Sequence, residues 1–185
     1  MRIERLRKNF EVEIQWKAFP LHPEIPQEGL TLKELMAGRL VDTSQMALSW
    51  KQIADELGLP LEEPKITYNT RFAQEMAKWA ESKGKGDEFH GRLFQAFFGE
   101  GRNISLLDEL ANLAQSVGLS EQEARTAVKF RAFKKEVDSD WARAQSLFIY
   151  AVPTFVVGQK SLIGAQPYEV LEKFLKDNEV KKRPS

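Results

Sequence analysis

Apolar and polar residues alternate strictly near the start of the chain. Val12, Ile14, Trp16 and Ala18 interleave with Glu11, Glu13, Gln15 and Lys17. A period of two puts one set on a buried face and predicts a β-strand over 11–19. Pro20, Pro23 and Pro26 end it in a loop, because proline has no N–H for a ladder. Before it, Ile3, Leu6 and Phe10 follow i, i+3, i+7 spacing and read as the end of an amphipathic helix.

The next hundred residues keep a helical period. Thr31 with Glu34 fits a capping box, and Gly58 with Pro60 closes a helix holding Trp50, Ile53, Ala54 and Leu57. Asn69 or Thr70 caps a helix bearing Phe72, Met76, Trp79 and Ala80. The following helix carries Phe89, Leu93, Ala96 and Phe97 on one face, broadened by Phe94 and Phe98. These aromatics are expected in the core, and their spacing also suits a helix lining an apolar groove. Ser105 is expected to cap Leu106 to Val117, and Ser120 with Glu123 to open a helix reaching about Lys135. Asp138 or Ser139 starts another, with Trp141, Ala144 and Leu147.

Near the end, Val152-Pro153-Thr154-Phe155-Val156-Val157 is a run of β-formers, and Gly158-Gln159 is a turn. A partner strand falls at about 160–163, and Pro167 opens a last helix to Lys176. A lone strand at 11–19 cannot satisfy its backbone, so it is expected in one sheet with this hairpin. The result is a mostly helical α/β chain. Residues 1–27 and 139–180 form one discontinuous, incomplete subdomain, and 28–138 form an inserted helical subdomain.

Lys+Arg and Asp+Glu both number 27 in 185 residues, so the net charge is zero and no nucleic-acid or anionic-membrane partner is expected. No stretch reaches the ~18 apolar residues of a membrane span, and Met1–Lys8 lacks the apolar run of a signal peptide. A cytoplasmic location is therefore the expectation. The basic tail Lys181-Lys182-Arg183 is expected to be solvated. His22 and His90 show no metal-ligand spacing, and no phosphate loop or nucleophile elbow occurs. There is no cysteine, which excludes disulfides, thiolate metal sites and thiol nucleophiles within these residues.

Five segments in order resemble one family. Trp16-Lys17-Ala18-Phe19-Pro20-Leu21-His22-Pro23-Glu24 is similar to the stretch after the second strand of DsbA-like thioredoxin-fold proteins, in the branch related to 2-hydroxychromene-2-carboxylate isomerases. Asn69-Thr70, Leu93-Phe94-Gln95-Ala96-Phe97-Phe98 and Gly101-Arg102-Asn103-Ile104 resemble its inserted helices. Val152-Pro153-Thr154-Phe155-Val156 with Gly164-Ala165-Gln166-Pro167 resembles its closing hairpin and last helix.

The resemblance implies a thioredoxin-like fold with a large helical insertion and a dithiol–disulfide oxidoreductase acting on a protein or small thiol/disulfide substrate. In that family a Cys-x-x-Cys opens the first helix, whose N-terminus lowers the first thiol's pKa. A facing cis-proline lines the substrate surface. Pro153 matches it, and Val152 presents backbone groups for strand-like pairing. Asn69 and Gln166 are weaker candidates for ligand contact beside their capping roles. The first strand and the cysteine pair are expected upstream of Met1, in a chain truncated at its N-terminus. Such a chain is expected to be marginally stable, or to pair with another chain, a homodimer included. No cofactor or metal is expected. The alternatives are a glutathione-dependent isomerase or transferase, with serine at the helix start, and a non-enzymatic peptide-binding or dimerising module.

Overall fold

The computed structural model describes residues 2–38, 42–56, 58–62 and 65–184, with Met46 described by its backbone alone. Met1 and Leu57, both named above, lie outside the described residues. The elements run α1 (Arg2–Asn9), β1 (Leu30–Thr31), α2 (Leu32–Leu35), α3 (Thr43–Glu56), β2 (Ile66–Thr67), α4 (Arg71–Ser82) and α5 (Gly86–Phe94). A π-helical turn, Gln95–Gly99, extends α5. Then follow α6 (Leu107–Ser116), α7 (Glu121–Lys129), α8 (Lys134–Ser146), β3 (Thr154–Val157), β4 (Lys160–Ile163) and α9 (Tyr168–Asp177). The chain divides into two compact units, Met1–Leu21 with Asp140–Ser185 and His22–Ser139.

In the first unit α1 packs on α9. Leu6, Phe10, Tyr168, Leu171 and Leu175 are buried, with Val12, Phe155, Val157 and Leu162 packed against them. Strands β3 and β4 pair antiparallel, Thr154 opposite Ile163 and Val157 opposite Lys160. Gly158 sits at φ 58 while Gln159 keeps a negative φ, the II′ pattern that closes a two-residue hairpin.

The strand expected over 11–19 is not formed. Glu11, Glu13, Gln15 and Lys17 are exposed while Val12, Ile14, Trp16 and Ala18 are partly covered, as an extended chain's side chains would be. Yet no strand pairs with residues 12–19 among the described residues, and β3 with β4 is a two-stranded sheet. Side-chain periodicity selects a two-faced conformation, but a strand also needs a neighbour's amide ladder. This segment is held at its ends. The Glu11 N–H donates to Lys181 O (2.8 Å), and the Ala18 N–H donates to Oδ2 of buried Asp140 (2.9 Å).

The basic tail is exposed, as expected, but it is tied down rather than frayed. The Arg183 N–H donates to Asn9 O (3.0 Å), and its Nε donates to the carbonyls of Arg7 (3.1 Å) and Phe10 (3.0 Å). Carbonyls at a helix C-terminus lack intrahelical donors, and the tail supplies them for α1. Lys182 Nζ lies 3.2 Å from Glu172.

The second unit is built on α4, which packs against α5, α6 and α7. Met76, Phe89, Leu110 and Leu113 are fully enclosed there, each side chain contributing about 1.5–3 kcal/mol by leaving water. Phe94 and Phe98 depart from the expected core and are 52% and 39% exposed. The π turn holds one more residue than an α turn, so the inner register slips and Phe98 leaves the buried face to stack on Phe94 (centroids 6.1 Å apart). The Thr31 capping box forms in both directions. Ser105 does not cap, because its hydroxyl donates to Asn103 Oδ1 (2.6 Å) and α6 starts at Leu107. Ser120 does cap α7, but that helix stops at Lys129 rather than near Lys135. The break comes where Arg131 takes φ 51, which an α-helix cannot continue. Accordingly α8 begins at Lys134, ahead of the expected Asp138 or Ser139. The periodicity gave no sign of the short β1–β2 ladder, Leu30 opposite Thr67. None of the helices is long and apolar enough to cross a membrane, among the described residues.

Candidate substrate-docking site

The family resemblance singles out Val152 and Pro153, with Gln166 as a weaker candidate, and the structure brings these three to one turn. The Val152–Pro153 peptide bond is cis. Pro153 O accepts the Gly164 N–H (2.8 Å), Gly164 O accepts the Gln166 N–H (2.9 Å), and Gln166 Nε2 donates to Ile163 O (2.7 Å). Thr154 Oγ1 donates to Ala151 O (2.7 Å), closing the turn from the other side. Gln166 thus braces the turn. Pro167 takes the N-cap position of α9 without a side-chain bond, so neither residue caps in the expected way. At the near end of α1, Arg2 Nη1 donates to Ala165 O (3.1 Å).

The register determines which backbone groups are available. In an antiparallel pair, alternate residues turn their N–H and C=O toward the partner. Pro153 O already faces Gly164, so Phe155 and Val157 face β4 by the same parity. Val152, Thr154 and Val156 turn theirs to the opposite side, where no backbone partner stands among the described residues. Phe155 and Val157 pack into the core below. The outcome is a firmly seated strand with one open edge that begins at an exposed Val152.

Asn69 lies in the other unit and serves that unit's architecture. Its Oδ1 accepts the Arg71 N–H (3.0 Å) and its Nδ2 donates to Ile25 O (2.8 Å). It therefore caps α4, while Thr70 makes no side-chain cap. His22 Nδ1 is 3.2 Å from Glu24, and His90 Nε2 is 3.6 Å from Glu81 in a partly covered position. No group of three His, Cys, Asp or Glu side chains could hold a metal ion among the described residues.

The densest charge cluster is structural. Glu75, buried on α4, accepts from Arg71 Nε (2.7 Å) and Arg131 Nε (2.7 Å). Arg71 also reaches Asp138 (2.6 Å), which Lys134 holds from the far side (2.6 Å). Burial pushes the Glu75 carboxyl up, but hydrogen bonds and charge from Arg131 and Arg71 outweigh it and hold it below its ordinary value. These contacts keep Arg131 in its left-handed conformation, its guanidinium 4.9 Å from the Phe72 ring. An acidic residue at an apolar-face position of α4, Glu75 beside Met76, was the available signal.

Comparison with known proteins follows the same lines. The chain is similar to the uncharacterized protein YwbO of Bacillus subtilis (strain 168), 30% identical over 182 residues, 97% of this chain and 88% of YwbO. Its fold matches a probable DsbA oxidoreductase, SCO1869 of Streptomyces coelicolor, with a TM-score of 0.86 at 23% identity, over 100% of this chain and 84% of that one. It also matches a 2-hydroxychromene-2-carboxylate isomerase, with a TM-score of 0.73 at 17% identity, over 95% and 86% of the two chains. The DSBA-like thioredoxin domain matches residues 1–176, and the chain, a mostly helical α/β thioredoxin-like fold with a helical insertion, belongs to that family.

Proposed function

We propose that this chain is the substrate-docking body of a dithiol–disulfide oxidoreductase, and that a thiol- or disulfide-bearing chain lies as an added strand beside Val152 and Pro153. One observation carries the reading. Val152, exposed and directly ahead of the cis bond to Pro153, leaves its backbone donor and acceptor without a ladder partner among the described residues. An extended peptide satisfies both groups, each bond contributing about 0.5–1.5 kcal/mol net.

The exchange itself is sulfur chemistry. A thiolate attacks one sulfur of the substrate disulfide, the S–S bond breaks, and a mixed disulfide forms. A second thiolate then resolves it, leaving the substrate reduced by two electrons and the enzyme pair oxidised; the reverse sequence oxidises a substrate dithiol. Residues 1–185 carry no cysteine, so both thiols have to come from outside them. What these residues contribute is position.

The test reads the codons ahead of the Met1 codon and assays the protein encoded by that frame for reduction of insulin disulfides. An in-frame Cys-x-x-Cys with turnover supports the reading. A stop codon there, or the motif without turnover, sinks its redox half. A serine at the first of those positions moves the protein to the glutathione-dependent isomerase or transferase reading. The docking half is checked separately, by the chemical-shift change of the Val152 amide on adding an extended peptide.

A further inference from the structure

Between α4 and α7 the helical unit carries an open cleft of about 270 Å³. Its residues all fall within His22–Ser139, and none belongs to the turn at Pro153. Trp79 and Phe133 bring ring surface to it, and the short side chains of Ala127 and Ala132 leave the space open.

Two ion pairs keep the cleft in shape. Lys83 holds Glu123 at its rim (2.6 Å). Arg131, tied to Glu75, takes φ 51 and turns the chain out of the α7 path, which sets Ala132 and Phe133 as one wall. Strained backbone that surrounding contacts hold in place clusters at ligand sites.

Trp79 supplies a polar handle. The residue is only 4% exposed, and its indole N–H donates to no group among the described residues. Nor is that nitrogen one of those sealed from solvent without a partner, so the little exposure Trp79 keeps includes it, at the cleft the residue lines. A buried tryptophan N–H normally finds an acceptor, and here the place for one is vacant. Charge narrows the ligand class. Glu123 is the charged residue of the lining, and Lys83 already neutralises it, while Gln122 and Thr126 add neutral polar groups. A charged ligand therefore meets no uncompensated countercharge.

We propose that this cleft binds a small neutral aromatic molecule, with its ring against Trp79 and Phe133 and a carbonyl oxygen accepting the Trp79 indole N–H. The space lies just below the about 300–1,000 Å³ of sites for drug-sized ligands, which suits a single substituted ring. Nothing in this site depends on the docking reading above.

The experiment titrates the isotope-labelled chain with benzamide, benzoate and toluene. The indole N–H resonances of Trp16, Trp50, Trp79 and Trp141 are followed, each assigned through its own backbone amide. Benzamide should shift the Trp79 signal saturably, with a Kd of about 1–10 mM, and move the other three far less. Ala132→Leu, at an exposed position, places a larger side chain in the cleft. It should weaken benzamide about fivefold or more and leave the melting temperature unchanged. Should that variant melt lower, Thr126→Leu carries the same test from the α7 side. Undiminished binding to the filled cleft overturns the proposal. Benzoate binding as tightly as benzamide overturns the neutral class, and toluene doing so overturns the role of the indole N–H. An equal shift of all four indoles, or no saturation by about 20 mM, overturns the site itself.

Discussion

Replacing Glu75 by glutamine keeps its shape and removes its charge, leaving two guanidinium groups around a neutral amide. The carboxylate is 2% exposed, and both of its oxygens accept from arginine. Removing one partner of a buried pair costs about 3–5 kcal/mol, much of it from stranding the remaining charges. Arg131 is 37% exposed and Asp138 keeps its hold on Arg71, so the lower end applies, about 3 kcal/mol. For a chain of this size each kcal/mol moves the midpoint by about 2–4 °C, so Glu75→Gln should melt about 6–12 °C lower at pH 7. Circular dichroism at 222 nm, a wavelength on the order of that used for any helical protein, reads it directly. Acid supplies the second arm. Because the folded carboxyl titrates below its ordinary 4.5, the unfolded chain binds the proton more readily. The contribution is complete above 4.5 and is lost as pH falls through the folded value. The parent's midpoint should therefore fall below pH 4.5, and the gap between parent and variant should close. A variant within about 2 °C of the parent at neutral pH, or a gap unchanged near about pH 3, refutes the argument.

Three further outcomes follow from the contacts described. Asn69→Ala removes the α4 cap and the bond to Ile25 O, and should lower stability by about 1–2 kcal/mol in a denaturant titration, with Thr70→Ala near neutral. At Gly29, φ is 84 and a β-carbon would run into Ile66 Cγ2 and approach Thr67 O to 2.9 Å. Gly29→Ala should cost about 1–3 kcal/mol and speed amide exchange in the β1–β2 ladder. Arg183→Ala releases the Arg7 and Phe10 carbonyls and should cost about 1–2 kcal/mol, with exchange at the Glu11 amide rising; unchanged protection there would show that the tail does not hold the segment.

Side-chain periodicity and punctuation made much of the architecture legible. The β3–β4 hairpin was readable because Gly158 sits between two runs of β-formers, and the Thr31 box because its two partners are three residues apart. Where the reading failed, the deciding partner lay far away in sequence. α7 stops early because Arg131 answers to Glu75 on α4, and Ser105 turns to Asn103 instead of its own helix. Phe98 moved outward through a π turn, a local change of winding that no apolar count reveals. The site divides the same way. Val152, Pro153 and Gln166 were nameable from a motif, whereas the open edge at Thr154 and Val156 needed the register.

The stretch from Val12 to Lys17 separates two quantities that usually travel together. Its inward side chains are partly shielded from solvent, while no neighbouring strand among the described residues locks its amides. Deuterium should therefore enter the amides of Val12 to Gln15 quickly even as fluorescence from Trp16 reports a partly dry surrounding. An investigator relying on isotope uptake alone would label the segment unfolded, and one relying on quenching would label it ordered. Both readings would describe the same conformation.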